Sequence, residues 1–192
     1  MTVFSNRGYA TVSEASVIEP FDGLRADFSA FALGCYFAEV LEAVSEENLP
    51  DPAVLQLGLN SLYALSRGLC PQAQVKAGFE LRLLSLIGFE PELSACPVCG
   101  SETPENPWFF LPEGTVYCGK CRAAAPGAVA PLSVDVLAAM RHIVQSDPKR
   151  IFSFTLEGEG MDRLAALSEQ YLLTQLDRGF ASLEYWKKVK DI

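Results

Sequence analysis

Gly78-Phe79-Glu80-Leu81-Arg82-Leu83-Leu84-Ser85-Leu86-Ile87-Gly88-Phe89-Glu90-Pro91 runs, four residues later, into Cys96-Pro97-Val98-Cys99-Gly100. Two architectures meet in this stretch. Upstream, Val75, Phe79, Leu83 and Leu86 recur at helical spacing, so a helix is expected from Gln72 to Ile87 with that face buried. Gly88 is the residue expected to end it in a left-handed conformation. Downstream, prolines at 91, 97, 104, 107, 112 and 126 exclude regular helix and cysteines take over.

Cys118-Gly119-Lys120-Cys121 follows Cys99 after eighteen residues. Two C-x₂-C pairs at that separation are a zinc-site pattern. Zn²⁺ takes four thiolates tetrahedrally, and each two-residue spacer folds into a knuckle that aims both sulfurs at one point. Trp108 to Leu111, a Pro112-Glu113-Gly114 turn and Thr115 to Cys118 read as a hairpin that brings the knuckles together. Gly100 stands where a tight turn needs positive φ or close backbone approach. Four thiolates leave no site for water, so Zn²⁺ is expected to be structural, bracing a Pro-rich segment with too little core of its own. Disulfides conflict with a reducing compartment. A redox C-x-x-C would open a helix in a βαβ context. Cys35 and Cys70 lie in helical patterns and are expected to be small buried hydrophobes.

Working outward, Asp22 to Glu47 reads as one helix, apolar nearly all round and therefore central and buried. Asp51-Pro52 opens the next, with Asp as N-cap and Pro in the first turn. Its expected stripe is Leu55, Leu59, Leu62 and Leu69, with Gly68 near its end. Helix resumes at Ser133 and again from Met161 to Asp177, until Gly179 interrupts before Ala181 to Trp186. The expected fold is mainly α. A helical bundle spans 21–88 and 131–192, and a zinc-ribbon-like hairpin module with four cysteine ligands is inserted at 89–130. Residues 1–20 differ: Val3-Phe4 and Tyr9 to Val12 read as two strands joined by a turn at Arg7-Gly8. Two strands alone bury too little to be stable in water.

The 192 residues carry a formal net charge of −9 and are 49% hydrophobic. That composition supports a core and gives no bulk electrostatic case for a sequence-independent DNA clamp. No apolar run of about 18 residues occurs. Met1 to Gly8 has no apolar core behind a basic lead, so neither a membrane span nor a signal peptide is expected. The expected location is the cytoplasm. There is no G-x-S-x-G, P-loop, H-E-x-x-H or G-x-G-x-x-G, and the single histidine, His142, has no helix-spaced carboxylate nearer than Asp135. The carboxylates of Glu42, Glu46 and Glu47, and of Glu157, Glu159 and Asp162, read as solvated helix ends and a turn. No enzyme is expected. Lys120 with Arg122, Arg141 with Lys149 and Arg150, and Lys187, Lys188 and Lys190 have the charge to contact phosphate, or equally to form solvated faces. Lys76 and Arg82 offer positive charge on the third helix for an acidic peptide.

In order along the chain, these pieces resemble the bacterial recombination mediator family RecO. The segment from Gly78 to Pro91 is similar to that family's FE-x-x-LL-x-x-x-G-x-x-P run, followed at once by the cysteines of its zinc-bearing members. Cys35-Tyr36-Phe37-Ala38-Glu39-Val40-Leu41 is similar to its AxYxxEL helix, and Gly179 to Tyr185 to its closing signature. The family begins with an OB-fold β-barrel. Arg7 to Ala15 resembles the last strand of that barrel, which makes residues 1–20 its remnant, with most of it truncated or assigned to another start. The resemblance implies a protein that acts with RecR to load recombinase on single-stranded DNA coated by single-stranded-DNA-binding protein (SSB), and that anneals strands. It further implies docking of the acidic SSB C-terminal tail on the helical body, through Arg82 and Lys76, and nucleoid association. Lys120, Arg122, Lys149 and Arg150 are the residues expected on DNA phosphate. A zinc-ribbon interaction module of another nucleic-acid system is the alternative. A hydrolase built on a carboxylate pair has nothing in its favour.

Overall fold

Asp51 accepts from the N–H groups of Ala53 and Val54 through one oxygen, at 2.9 and 3.1 Å, and Pro52 opens the helix that Gly68 closes at φ 58°. Gly88, at φ 94°, ends the next helix, with the N–H of Phe89 returning to Leu84 O at 2.7 Å. These caps supply partners for the backbone groups that a helix end orphans.

The computed structural model describes residues 2–6 and 9–190, with side chains from Thr11 onward. The turn expected at Arg7-Gly8, and the domain ends at Met1 and Asp191-Ile192, lie outside the described residues. Strands β1 (Thr2–Asn6) and β2 (Tyr9–Glu14) form an antiparallel hairpin with an irregularity between Thr2 and Val3. Helices α1 (Asp22–Ala26), α2 (Phe28–Val44), α3 (Pro52–Arg67) and α4 (Gln72–Leu86) follow. Then come β3 (Trp108–Phe110), β4 (Thr115–Tyr117) and β5 (Ala130–Pro131), an antiparallel sheet in the order β4-β3-β5. Helices α5 (Val134–Gln145), α6 (Glu159–Leu176) and α7 (Ala181–Val189) complete the described chain. It is mainly helical with a small sheet.

Several expectations need correction. The helix expected from Asp22 to Glu47 is broken at Asp27, whose extended backbone (φ −123°) ends α1 and whose carboxylate accepts from Ala30 N–H at 2.9 Å to start α2. The central helix is α4, buried continuously from Gln74 to Leu81, with α2, α3, α5 and α6 around it. α2 instead leaves Phe28, Phe31 and Cys35 exposed, so Cys35 is a surface thiol; Cys70 is half-buried. α3 buries Val54, Leu57, Gly58, Ser61, Ala64 and Leu65; of the expected leucine stripe, Leu55, Leu59 and, past the helix end, Leu69 are exposed, and Leu62 is half-buried. One reason is close approach: a Cβ at Gly58 would stand 2.6 Å from Leu41, so the face of α3 toward α2 is set by that glycine. The last long helix ends at Asp177 as expected, with that residue left-handed at φ 47°, and it begins at Glu159, two residues before the expected Met161.

Inside the bundle, Phe37 and Phe79 stack at 4.1 Å, and Phe180 meets Tyr36 edge-on at 5.8 Å. Each buried phenyl ring contributes about 2 kcal/mol. Beside them lies an ionic cluster. Lys76 is 1% exposed and Glu80 0%. The Lys76 ammonium bridges Glu80 at 2.8 Å and Glu169 at 2.9 Å, and Lys187 pairs with Glu169 at 2.5 Å. Glu80 also accepts from the Tyr36 hydroxyl at 2.8 Å and from Ser168 at 2.7 Å. Burial raises Glu80 above the ordinary carboxyl range, against the pull of Lys76. Burial also raises Glu169, but Lys76 and Lys187 outweigh it and hold that carboxyl low.

α7 has no cap of its own, because Phe180 stands at its N-cap. Glu39 of α2 supplies one instead, accepting from Ser182 N–H at 3.0 Å, from the Ser182 hydroxyl, and from Ala181 N–H at 3.4 Å. Those bonds hold the Glu39 carboxyl below its ordinary range.

Two outcomes follow. Lys76→Met leaves Glu80 buried without its cation and should lower unfolding free energy by about 3–5 kcal/mol in urea titration. Lys76→Met with Glu80→Gln removes the stranded charge as well and should recover much of the loss. An unchanged urea midpoint in the single variant would show that the cluster holds nothing. A carboxyl depressed in the folded state contributes stability that is present above its unfolded value and lost as pH falls through the folded one. Glu39→Gln should therefore cost about 1 kcal/mol at neutral pH, with the difference from wild type closing below about pH 4. A difference that persists in acid would assign the loss to something other than the charge.

Candidate functional site

Both cysteine pairs ride on turns closed by backbone hydrogen bonds. Cys96 N–H donates to Ser101 O and Gly100 N–H to Cys96 O, each at 2.9 Å, with Gly100 at the expected positive φ of 70°. In the second turn, Cys121 N–H donates to Cys118 O at 3.0 Å and Gly119 N–H to Glu105 O at 2.9 Å. The β3–β4 hairpin, with Trp108 opposite Tyr117, delivers Cys118 at the end of β4. The sulfurs of Cys96, Cys99, Cys118 and Cys121 all lie within 4.8 Å of one another, and those of Cys99 and Cys118 are 3.8 Å apart. A tetrahedron with arms of about 2.3 Å has edges of about 3.8 Å, so the four thiols fit a single ion. Sulfur donors select a soft, thiophilic metal.

The protonation chemistry agrees with a cation site. Burial pushes the Cys96 thiol up, but N–H groups of Cys118, Cys99 and Val98 outweigh it and bring it down to about 6. The hydrogen bond to the Cys118 sulfur, reinforced by burial and by the sulfurs of Cys99 and Cys96, pushes Cys121 up to about 12. Backbone amides thus favour the first thiolate while the other sulfurs oppose the last. A bound metal ion would remove that conflict and tie the two turns together.

The module is fastened to the helices by residues that sequence reading did not single out for that role. Arg141 of α5 donates to Leu93 O (2.7 Å), Ser94 O (3.0 Å) and Glu102 O (2.8 Å), so its charge closes carbonyls of the module rather than facing phosphate. Tyr171 of α6 donates to Phe89 O at 3.0 Å and meets Phe109 edge-on at 5.4 Å. A Cβ at Gly114 would lie 2.2 Å from the Tyr171 hydroxyl, which is why the hairpin turn ends in glycine. No local signal marks either residue, since their partners lie between 39 and 82 positions away.

The basic residues separate into three environments. Lys76 belongs to the core cluster and presents no charge to solvent. Arg82 is half-buried and donates to Val144 O. With Leu57, Leu86, Pro148 and Ile151 it lines a small cleft between α3, α4 and the 147–151 loop, and the exposed Lys149 and Arg150 sit on that loop. On the metal module, the Arg122 guanidinium stacks on Trp108 at 4.5 Å and Lys120 stands 3.9 Å from Glu105.

Residues 25–184 match the family described as recombination protein O, C terminal. The chain belongs to the RecO family. A DNA repair protein RecO of Acetivibrio thermocellus is 31% identical over 190 residues, which is 99% of this chain and 75% of that protein. The RecO of Symbiobacterium thermophilum is 31% identical over 186 residues, covering 95% and 73%. That of Alkaliphilus metalliredigens is 26% identical over 189 residues, covering 97% and 76%. The RecO resemblance read from the sequence is therefore correct. Among the described residues, no helix is long and apolar enough to cross a membrane.

As purified, the chain should carry one thiophilic divalent ion, released when an organomercurial titrates the thiols. Arg141→Ala keeps every sulfur but unfastens the module, so transfer of the ion to a chelator should be about tenfold faster. Release at the wild-type rate would show that α5 does not hold the site.

Proposed function

We propose that this chain is a recombination mediator that works by binding rather than by turnover, with Zn²⁺ as the structural ion of its four cysteines. The supporting observation is the closed set of four sulfurs inside a chain of the RecO family. Four thiolates fill a tetrahedral shell and leave no position for an activated water. Free thiolates of this kind are kept in a reducing compartment, which supports the cytoplasm. In this reading the hairpin of β1 and β2 is the end of an OB-fold barrel. The partners are RecR, single-stranded DNA and the SSB tail, and the outcome is recombinase loading and strand annealing at the nucleoid.

The cleft beside Arg82 supports the tail assignment. An acidic peptide ending in an apolar residue needs an apolar floor with cations at its rim. Leu57, Leu86 and Ile151 supply the floor and Arg82 a charge at it, and this reading moves the exposed Lys149 and Arg150 of the bordering loop from DNA phosphate to the peptide. Lys76 drops out of this role because both of its carboxylates are internal. In this reading Lys120 and Arg122 meet phosphate, beside the half-buried Trp108 whose ring carries the Arg122 guanidinium.

The test is fluorescence anisotropy with an acidic peptide ending in phenylalanine, and separately with single-stranded DNA. Arg82→Ala and Lys149→Ala/Arg150→Ala should weaken the peptide by about tenfold. Lys120→Ala/Arg122→Ala should leave the peptide unchanged, weaken DNA and flatten its salt dependence. Wild-type protein that binds neither ligand, and does not speed annealing, overturns the proposal.

A further inference from the structure

The outer face of the α2–α3 hairpin is unlike the rest of the surface. α2 exposes Phe28, Phe31 and Cys35, and α3 exposes Leu55, Leu59 and Tyr63. At the end where α2 passes into α3, this face continues into a groove of 740 Å³ walled by Leu41, Val44, Leu49, Leu55 and Ile87. Leu49 is 65% exposed and Leu55 61%. Leu49 is held in place: its N–H returns to Glu46 O at 3.3 Å across a turn in which Asn48 takes φ 64°. A groove already built this way needs little ordering to receive a ligand.

Charge narrows the ligand. Between Ala26 and Ser66 there is no lysine, arginine or histidine, and the charged residues are Asp27, Glu39, Glu42, Glu46, Glu47 and Asp51. Asp27, Glu39 and Asp51 cap α2, α7 and α3. Glu42, Glu46, Glu47 and Asp51 are exposed, and Glu46 and Asp51 line the groove itself. Among the described residues, every ion pair forms elsewhere. Nucleic acid and acidic peptides are repelled by such a rim. An apolar groove between helix ends, bordered by Glu42, Glu46 and Glu47 with no cation among the described residues paired to them and by the negative N-cap Asp51, is complementary to a cationic amphipathic helix.

We propose that this groove binds a basic amphipathic helix of a partner protein, with its aliphatic face on Leu41, Val44, Leu49, Leu55 and Ile87 and its lysines or arginines over Glu42, Glu46, Glu47 and Asp51. The site shares no lining residue with the cleft beside Arg82, which it borders at Ala53 and Val54 and at Leu86 and Ile87, so it carries a second partner of opposite charge.

The probe is a labelled amphipathic leucine/lysine peptide of roughly 18 residues, titrated by anisotropy against the full chain and compared with its leucine/glutamate counterpart. The lysine peptide should bind in a salt-sensitive manner and the glutamate peptide should not. Glu46→Lys/Glu47→Lys and, separately, Leu49→Ser/Leu55→Ser should each weaken it by about tenfold. Glu113→Lys/Glu157→Lys changes net charge equally on exposed residues elsewhere and should leave binding intact. All four sites altered at the groove are exposed, and circular dichroism should confirm that each variant keeps its helices. Equal weakening by the control pair would reduce the effect to net charge and overturn the proposal. So would equal binding of the glutamate peptide, competition by single-stranded DNA, or sedimentation showing a dimer that Leu49→Ser/Leu55→Ser dissociates, which would make the occupant a second copy of this chain. Failure of the acidic peptide to bind the cleft beside Arg82 would leave this result untouched.

Discussion

Glu80 puts a carboxylate at the centre of a helical bundle, where it has no water to solvate it. Removing a charge from water costs several kcal/mol, and only close partners offset that. Glu80 finds them on three different elements: Tyr36 from α2, Lys76 from its own helix and Ser168 from α6. Lys76 then needs Glu169, and Glu169 needs Lys187 on α7. The cluster therefore specifies one axial and rotational setting for four helices. A slip of any one by a turn would strand a charge in the core. Apolar contacts such as Phe37 on Phe79 supply more attraction, but they tolerate sliding in a way that a carboxylate with fixed partners on both oxygens does not.

The same network explains why separate short motifs identified the family. Tyr36 and Glu39 belong to one motif, Glu80 to a second and Ser182 to a third. In space, Tyr36 bonds Glu80 and Glu39 caps Ser182. The motifs are the two ends of tertiary hydrogen bonds that span 44 and 143 positions of sequence. Local readings succeeded where one residue sets its own geometry. Asp51-Pro52, Gly68, Gly88 and the Gly100 turn were legible, as was the convergence of the four cysteines. They failed where a neighbour decides. Leu55 and Leu59 form a proper helical stripe, yet the buried face of α3 runs through Val54, Leu57, Gly58, Ser61, Ala64 and Leu65, with Gly58 close against Leu41. Lys76 read as a surface cation because nothing in its own turn announces that a carboxylate arrives from α6. Arg141 read as part of a basic cluster because its carbonyl partners belong to the metal module.

The cysteine module and the bundle share one core. Leu93, Phe109, Val116 and Leu132 are buried with the helices, and the side chains of Arg141 and Tyr171 fix the module's position on them. Those two residues come from α5 and α6, which follow the module in sequence. The module is thus gripped by the helices that the chain forms after leaving it. Its sulfur site is consequently a joint between distant parts of the molecule as well as a brace within one loop.

The charge of −9 looks at first like a uniform acidity that opposes nucleic-acid work. The distribution shows otherwise. The whole run of α2 and α3 between Ala26 and Ser66 holds no cation at all, while Arg82 lines an apolar cleft and Arg122 lies on the Trp108 ring. At physiological ionic strength, fields from exposed charges decay over about 8 Å, so the charges beside each surface weigh more there than the net charge of the chain. The outward turn of Leu55 and Leu59 and the absence of cations along the same hairpin are then two parts of one arrangement.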